Sequence, residues 1–225
     1  MIAKNNDRND TISKKSAEIL LKIGSIDFSP NKQFKLTSGK YSPVYCDCRR
    51  IISFPKERTK LINFAIEKLK NEKFFDKITN ISGGETAGIP FSALIASKLN
   101  LPMTYIRKAK KKFGRKEQIE GILKKSEKVI LVEDLITDGG SKLNFINALL
   151  EQKAILKAIV VIFNYGIFYD KFIFNDKNIK LIHLTTWKDV IEVAIKLKKI
   201  SMKDKNTIIH FLSKIGVKNL KFYHD

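Results

Sequence analysis

The chain has 225 residues, enough for one α/β domain with an added flap or lobe. No run approaches the ~20 apolar residues that a membrane span requires, and the polar N-terminus lacks the apolar core of a signal peptide. The two cysteines, Cys46 and Cys48, are too few for a structural zinc site and badly spaced to bridge each other. We therefore expect a reduced, cytoplasmic protein with no membrane partner.

The formal net charge of +20 would by itself favour a nucleic-acid partner. However, only six of the 43 basic residues are arginine, the residue best suited to reading base edges and phosphates. The lysines are spread along the whole chain, which indicates a general lysine bias. We expect no nucleic-acid partner, although the basic field still attracts anionic metabolites.

Hydrophobic spacing and turn residues predict the elements in chain order. Residues 1–10 are expected to be frayed, and the helix that follows is expected to end at Gly24. Ser53 is the predicted cap of a second helix, with Pro55 in its first turn. Later in the chain, strands alternate with helices, which predicts a mostly parallel βαβ sheet of the α/β class. The predicted strands are 77–82, 103–107, 128–133, 158–163 and 179–184, and the predicted helices are 89–99, 141–150, 187–198 and 203–215.

Residues 128–141 carry the most informative motif. An apolar run, residues 129–132, predicts a buried parallel strand; Glu133 and Asp134 follow where it ends, and a Gly-Gly loop then leads into a helix. Such a loop offers backbone N–H groups to a phosphate, whereas paired carboxylates suit the hydroxyls of a sugar. The motif therefore predicts a sugar-phosphate site at the carboxyl edge of the sheet. The alternative is an ordinary strand–turn–helix with a solvated acidic turn.

Three further segments are unusual. Residues 83–88, Gly-Gly-Glu-Thr-Ala-Gly, form either a second anion loop or a tight turn without a ligand. Residues 107–116, the densest basic run, form either a solvated loop or a mobile flap that closes over a polyphosphate. Residues 34–49 have the composition of a loop and a hairpin-like strand, and by themselves dictate no chemistry.

Together, these motifs resemble those of the orotate phosphoribosyltransferase family, which belongs to the type I phosphoribosyltransferases. The similarity covers most of the chain, from about residue 16 to residue 165. It rests on four motifs, which occur in the family's order. The first two are Ser-Gly with Ser-Pro in residues 38–43 and Gly-Gly with Gly-Ile-Pro in residues 83–90. The last two are Arg-Lys followed by Lys in residues 107–111 and Glu-Asp followed by Thr and Gly-Gly-Ser in residues 133–141.

The resemblance implies the type I phosphoribosyltransferase fold in a single domain over residues 1–225. Residues 1–54 would supply the N-terminal helix and a small hood, residues 55–184 the α/β core with its mostly parallel sheet flanked by helices, and residues 185–225 the C-terminal helices. No internal repeat and no linker divides the chain.

The resemblance also implies a reaction. Orotate and 5-phosphoribosyl 1-pyrophosphate (PRPP) would give orotidine 5′-monophosphate and pyrophosphate, a step of pyrimidine synthesis, with Mg²⁺ as cofactor. Such a transfer requires positioning and charge stabilisation of the leaving group but no side-chain nucleophile. In the family the basic flap reaches into the neighbouring subunit, which implies a homodimer with shared sites.

Roles for individual residues follow from the resemblance. Glu133 and Asp134 are expected to bind the ribose hydroxyls, and residues 137–141 the 5′-phosphate. The expected catalytic residues are Arg107, Lys108, Lys111 and Asp134, with Asp134 also holding the metal indirectly, through water. The expected PRPP-binding residues are Gly83, Gly84, Arg115, Glu133, Asp134, Leu135, Ile136, Thr137, Asp138, Gly139, Gly140 and Ser141. The expected orotate-binding residues are Phe34, Ser38, Gly39, Lys40 and Thr137.

The chain departs from the family pattern in the flap and near the base. Many members have His where Phe113 stands and an acidic residue where Arg115 stands, so Phe113 cannot transfer protons and Arg115 is an extra candidate phosphate contact. Many also use an Asp-Arg pair for the orotate carboxylate, where residues 163–166 here read Phe-Asn-Tyr-Gly. Lys40, Arg49 or backbone amides within 34–39 are the candidate replacements.

Two other functions stay open. The missing Asp-Arg pair leaves room for a phosphoribosyltransferase that acts on another base. The second alternative is a non-catalytic PRPP-binding regulator, although no separate helix-turn-helix region precedes the core.

Overall fold

A computed structural model describes residues 2–35, 39, 41–110, 117–137, 139–168, 171–174, 177–218 and 220. The helices are α1 (Ile2–Lys22), α2 (Pro55–Lys70), α3 (Gly88–Leu99), α4 (Gly140–Glu151), α5 (Trp187–Lys196) and α6 (Met202–Lys214). The strands are β1 (Ile26–Phe28), β2 (Phe34–Lys35), β3 (Tyr41–Ser42), β4 (Val44–Cys46), β5 (Asn80–Gly84), β6 (Met103–Ile106), β7 (Ile119–Glu120), β8 (Lys128–Ile136), β9 (Ile155–Asn164), β10 (Lys171–Phe174) and β11 (Lys177–Thr186).

The central sheet of the described residues has seven strands in the order β10-β11-β9-β8-β5-β6-β7. The inner strands β11, β9, β8, β5 and β6 run parallel, and the edge strands β10 and β7 run antiparallel to their neighbours. This confirms the predicted α/β class. The chain leaves β5 toward β6 and returns to β8 on the other side of β5. The adjacent ends of β5 and β8 are therefore the topological switch point, where ligands bind in open α/β sheets.

Helices cover both faces of this sheet. Helices α1, α2, α3 and α5 contribute to one core together with Ile130 and Val132 of β8. Helix α4 covers the other face, where Phe145 packs with Val129 and Leu131. Because side chains alternate along a strand, the acidic pair at the end of β8 is divided between the two faces. No helix in the described part of the chain has the length and apolar character needed to cross a bilayer.

The N-terminal segment forms two small antiparallel ladders, β1 with β4 and β2 with β3, beside the main sheet. We call these ladders the hood. A short 3₁₀ helix, Cys48–Ser53, then leads toward α2, and Asp47 caps it by accepting a hydrogen bond from the N–H of Arg49 (3.1 Å). The two cysteines are both free, with their sulfur atoms 3.7 Å apart.

The N-terminal half contains two corrections to the predicted elements. Helix α1 begins at Ile2, so the described residues before 11 are helical rather than frayed; Arg8 donates two hydrogen bonds to Glu67 of α2 (2.5 and 2.9 Å), which holds this first part of the helix against the fold. Helix α2 includes Pro55 in its first turn as predicted, but Phe54 is its N-cap and Ser53 is not.

In the sheet, four strands extend further than predicted, and two of them, β9 and β11, do so at both ends. The extensions of the other two, β5 and β8, affect the candidate site. Gly83 and Gly84 belong to β5 rather than to a loop, and β8 continues to Ile136, beyond the acidic pair. Both extensions pair with a neighbouring strand, because backbone pairing continues past the residues that periodicity marks as buried. Strands β7 and β10 were not predicted, since such short strands carry little periodic signal.

A polar contact joins α2 to the sheet. The Lys68 ammonium group donates a hydrogen bond to the backbone oxygen of His183 on β11 (2.7 Å). Burial, followed by the positive charges of Lys68 and Lys180, lowers the pKa of His183 to about 3. The imidazole therefore stays neutral in the folded protein over the ordinary range of pH.

We expect His183 to weaken the fold as the pH falls. An unfolded histidine binds a proton near pH ~6.5, whereas folded His183 resists protonation down to about pH 3. Neutral His183 therefore contributes fully to the free energy of unfolding above pH ~6.5. Below that pH, this free energy falls by up to about 1.4 kcal/mol per pH unit. Urea unfolding between pH ~7 and pH ~4 measures the loss. His183→Gln should flatten the decline and His210→Gln, at an exposed site, should not; equal slopes in both variants would contradict the prediction.

Candidate functional site

The candidate site lies at the carboxyl ends of β5 and β8. Gly83 pairs with Val132 in the parallel ladder, so the two glycines that end β5 lie directly beside the acidic pair Glu133 and Asp134. The two predicted segments, some 50 residues apart in the chain, thus meet at the switch point of the sheet. This arrangement can receive a polar ligand.

Glu133 is turned toward α4 and is 5% exposed. Its Oε2 lies 2.5 Å from the Nζ of Lys142, while its Oε1 is buried without a hydrogen-bond partner among the described residues. Burial raises the pKa of Glu133, and the charge and hydrogen bond of Lys142 oppose that rise. The pair is therefore a buried ion pair that leaves one carboxylate oxygen free to accept a hydrogen bond.

The glycines make room for this carboxylate. A Cβ added to Gly84 would lie 2.0 Å from Oε1 of Glu133 and 2.6 Å from the ring of Phe145. A Cβ added to Gly88 would lie 2.2 Å from the backbone oxygen of Val132 and 2.8 Å from the same Oε1. Since real Cβ atoms do not approach so closely, these positions require glycine for packing as well as for any approach to a ligand.

Asp134 lies on the opposite face of β8 and is half-buried. Its Oδ1 accepts a hydrogen bond from the N–H of Leu135 (2.8 Å). Burial raises the pKa of Asp134, and the N–H of Leu135 and the charges of Lys142 and Arg49 oppose that rise. The 3₁₀ helix that contains Arg49 contacts β8, so this helix lies beside the strand that carries Asp134. Of the two carboxylates, Asp134 is the more accessible to a substrate.

The loop after β8 leads into α4 through Gly139. This residue has a φ of +79°, the left-handed region that favours glycine, and its backbone oxygen accepts from the N–H groups of Lys142 and Leu143 (2.9 and 3.3 Å). An added Cβ would lie 2.3 Å from the ring of Phe172 and 3.3 Å from that of Phe168. The start of α4 directs the positive end of its dipole at this loop, which suits an anion.

Leu135 and Ile136, which were expected to bind PRPP, have side chains that pack in the protein. Ile136 is buried against the α4 face of the sheet, and Leu135 is half-buried on the opposite face. Their side chains are therefore part of the core, and only their backbone groups are available to a ligand.

The root of the basic flap is held by its own chain. The N–H of Lys108 donates to Oε2 of Glu85 (2.7 Å), and its backbone oxygen accepts from the side-chain amide of Asn144 on α4 (2.6 Å). Gln118 donates both to the backbone oxygen of Arg107 (2.9 Å) and to Oδ1 of Asn144 (3.2 Å). The flap therefore leaves the β6–β7 hairpin from a fixed point next to the glycine pair.

The hood side of the site is aromatic. Phe34, a predicted base contact, lies with its ring centroid 5.7 Å from that of Tyr45. Trp187 is fully buried and meets Phe163 and Tyr165 edge to face, at 4.9 and 5.4 Å. Gly39 is described, with a φ of +79°. Several predicted residues lie outside the described part of the chain, namely Ser38, Lys40, Lys111, Phe113, Arg115, Asp138 and the side chain of Ser141.

Sequence reasoning missed Lys142, Asn144 and Glu85 as parts of the site. Each acts on a partner at least nine positions away: Lys142 on Glu133, Asn144 on Lys108, and Glu85 on the N–H of Lys108. The position of Lys142 in the first turn after the glycine loop is the one signal that could have singled it out. A lysine there is otherwise indistinguishable from the many solvated lysines of this chain.

Comparisons with known proteins agree with this geometry. Residues 55–204 match the family model described as "Phosphoribosyl transferase domain". The orotate phosphoribosyltransferase of Dinoroseobacter shibae is 47% identical to this chain over 184 residues, which cover 81% of each protein. This level of identity over most of the chain shows the family.

Two solved structures have the same fold. The structure of Leishmania donovani UMP synthase aligns with a TM-score of 0.71 and 22% identity over 89% of this chain, which spans 42% of that longer chain. The orotate phosphoribosyltransferase of Aeropyrum pernix aligns with a TM-score of 0.65 and 24% identity, over 82% of this chain and 99% of that one. At these identities the two structures support the fold alone. With the close relative and the matching domain model, they lead to one conclusion: the chain belongs to the orotate phosphoribosyltransferase family and has the type I phosphoribosyltransferase fold.

Proposed function

We propose that this chain transfers the 5-phosphoribosyl group from PRPP to orotate, giving orotidine 5′-monophosphate and pyrophosphate in pyrimidine synthesis. The observation that carries the proposal is the meeting of the glycine pair of β5 and the acidic pair of β8, directly before a glycine loop that opens α4. Relatives that are 41–47% identical to this chain are orotate phosphoribosyltransferases. A likeness at this level supports the same substrates for this chain.

Each part of PRPP has a proposed contact. The 5′-phosphate binds at residues 137–141, where the dipole of α4 and the backbone N–H groups favour an anion. The ribose hydroxyls donate hydrogen bonds to Asp134 and to Oε1 of Glu133, while Oε2 of Glu133 keeps its ion pair with Lys142. The pyrophosphate lies beside Gly83 and Gly84 and meets the flap through Arg107 and Lys108, with Lys111 and Arg115 further along the same segment.

In this arrangement the chain stabilises charge and contributes no nucleophile. The bond from C1′ to the pyrophosphate oxygen breaks and its electron pair leaves with pyrophosphate, so the ribose ring becomes positive. A ring nitrogen of orotate then forms the new bond to C1′, and the proton of that nitrogen passes to the released pyrophosphate or to solvent. Asp134 stabilises the positive ribose, and the basic flap residues stabilise the leaving pyrophosphate. Closure of the flap excludes water, which would otherwise capture the ribosyl cation.

Mg²⁺ is the proposed cofactor, and the donor set fits it. No three His, Cys, Asp or Glu side chains come together as a metal site among the described residues. Mg²⁺, however, often keeps several waters and is bound by one or two carboxylates together with substrate phosphates. Asp134, a half-buried carboxylate at a strand end, could hold such an ion through water. The metal would neutralise charge on the pyrophosphate group.

A direct assay tests the proposed function. Purified protein with Mg²⁺ and PRPP should convert orotate to orotidine 5′-monophosphate, followed by the loss of orotate absorbance, and adenine or uracil should react far more slowly. Removal of the metal with EDTA should abolish turnover, and added Mg²⁺ should restore it. Turnover of another base without turnover of orotate would contradict the proposed substrate. Tight PRPP binding without turnover of any base would instead favour a regulator.

Arg49 is the proposed partner of the orotate carboxylate. Among residues 164–168 no side chain is cationic, and the Asn164 amide is used within its own loop, donating to the backbone oxygen of Phe168 (2.7 Å) and accepting from the N–H of Gly166 (2.9 Å). The Arg49 side chain is 63% exposed, pairs with Asp47 at 2.7 Å, and interacts electrostatically with Asp134. It therefore lies on the hood side of the site, where the base must enter.

We expect Arg49→Leu to weaken orotate binding selectively. Loss of one hydrogen-bonded charge pair should raise the KM for orotate by about 10- to 100-fold. The KM for PRPP should change little, because the sugar-phosphate contacts come from β8 and α4. Steady-state kinetics with each substrate varied in turn measures both values. Arg58→Leu, which removes an arginine from α2, is the matched control. An unchanged KM for orotate in Arg49→Leu would exclude this role.

We further propose a homodimer in which the two subunits share their sites. We assign the root of the flap to its own site, because Glu85 and Asn144 hold the backbone of Lys108 beside the glycine pair of the same chain. The residues that cross to the partner are then those further along the flap, such as Lys111. Lys108 would therefore act in the site of its own subunit, and Lys111 in the site of the partner subunit.

Mixing of inactive variants tests this separation. Lys111→Ala and Asp134→Asn chains, each inactive alone, should recover about a quarter of the wild-type activity when unfolded together and refolded at equal amounts, since half of the dimers are mixed and each has one intact site. Lys108→Ala mixed with Asp134→Asn should recover nothing and is the matched control. Recovery in the second mixture, or none in the first, would contradict the assignment, and sedimentation measures the dimer itself.

Three more sequence predictions belong to this proposal. They are a location in the cytoplasm, the absence of a nucleic-acid partner, and the organisation of residues 1–225 as one domain with its N-terminal hood and C-terminal helices. The large core supports the last of these, because it includes residues from α1 and the hood through to α6.

A further inference from the structure

The ion pair between Lys142 and Glu133 is the most deeply buried one in the described part of the chain. Each side chain is 6% exposed, and the Nζ and Oε2 atoms lie 2.5 Å apart. Every other ion pair given for the described residues has at least one partner with a quarter or more of its side chain exposed. Exposed ion pairs contribute little to stability, so a pair that is buried at both partners needs an explanation of its own.

Stability alone does not explain such a pair. Two charges removed from water regain through their attraction only about what their desolvation costs, and a hydrophobic pair of similar size is often at least as stable. The surroundings here would accept one, since the buried ring of Phe145 of α4 lies next to the Glu133 carboxylate at Gly84. A buried pair in such a place is therefore better explained by the geometry it imposes.

That geometry connects two parts of the proposed site. Lys142 lies in the first turn of α4. Its N–H donates to the backbone oxygen of Gly139 (2.9 Å), which lies in the loop that we propose binds the 5′-phosphate. Its ammonium group reaches back to β8 and binds the first acid of the acidic pair. Glu133 is at the same time enclosed by Gly84 and Gly88, which leave no room for a Cβ. Thus one side chain ties together the loop, the strand end and the glycine pair.

We propose that Lys142 is a positioning residue for PRPP binding, which acts through Glu133 to fix the end of β8 and the start of α4 relative to each other. The inference rests on the proposed function, since it names PRPP as the ligand. With Lys142 in place, Asp134 and residues 137–141 are held in the spacing that the ribose and its 5′-phosphate require. Without it, Glu133 is left as a buried, unpaired charge that must take up a proton or turn outward and displace the strand end.

A double-mutant cycle distinguishes this role from a direct one. The chains are wild type, Lys142→Met, Glu133→Gln and the double variant, each measured for kcat/KM with PRPP and for PRPP binding by calorimetry. We expect Lys142→Met to lower both by about 10- to 100-fold, the range known for residues that orient site carboxylates at metal centres. In the Glu133→Gln background the same change should have almost no further effect, because the residue through which Lys142 acts is already neutral.

A split between the Michaelis constants of the two substrates gives a readout that a purely structural lysine would not change. Lys142 binds Glu133 beside the proposed ribose site. In Lys142→Met the KM for PRPP should therefore rise while the KM for orotate stays near the wild-type value, and Lys142→Met in the Glu133→Gln background should add no further rise. Lys68→Met, which removes a half-buried lysine on the opposite face of the sheet, should lower the melting temperature without changing either KM.

Each outcome decides the inference. Equal losses in both backgrounds would mean that Lys142 contacts PRPP directly, and a lower melting temperature with unchanged kinetics would mean a structural role only; either result overturns the proposal. If Lys142→Met fails to fold, the double variant is compared with Glu133→Gln alone, and a further large loss of PRPP binding overturns it as well. Calorimetry needs no base, so weak binding in Lys142→Met supports the inference even if the wild type proves inactive with orotate.

Discussion

The site depends on one close contact, the approach of the Glu133 carboxylate to the backbone of β5 and α3. The carboxylate occupies space that Gly84 and Gly88 leave open by having no Cβ. An acid in that position is removed from water and needs a counter-charge, which Lys142 supplies from α4. Since β5, β8 and α4 thereby hold each other at their ends, the glycine pair, the acidic pair and the glycine loop before α4 have a common geometry.

Helix α4 therefore contributes side-chain contacts to the site in addition to the backbone groups at its start. Its first turn carries Lys142, and the next residues carry Asn144, which binds the flap root at Lys108. A contact near its end, between Lys110 and Glu151, is exposed at both partners and contributes little. A ligand that orders the start of α4 would therefore also act on the acidic pair and on the root of the flap, because both are attached to one rigid helix.

The two halves of the proposed site are built differently. The sugar-phosphate half consists of strand ends and a helix start, whose backbone groups are fixed by the parallel sheet. The proposed base half lies on the side of the hood, whose short ladders carry the neighbouring rings of Phe34 and Tyr45. Backbone geometry is common to all members of a fold, whereas side chains on short ladders vary freely, so this half can change its contacts without loss of the fold.

Much of the fold followed from local patterns. The apolar run before Glu133, the glycine loop after it and the alternation of strands with helices predicted the sheet and its ligand-binding edge, because period and turn chemistry are properties of neighbouring residues. Short elements such as β10 escaped prediction, and the extension of β5 to Gly84 depends on pairing with other strands.

The sequence by itself therefore determined the fold class and the family resemblance, and it supplied the candidate residues of the proposed sugar-phosphate half, all of which lie in contiguous motifs. Only the tertiary structure decided that the acidic pair is divided, with Glu133 buried against Lys142 and Asp134 half-buried on the opposite face of β8. It also decided that the flap root at Lys108 is bound by its own chain. The physical reason is the same in each case: burial and charge pairing arise between segments that only folding brings together.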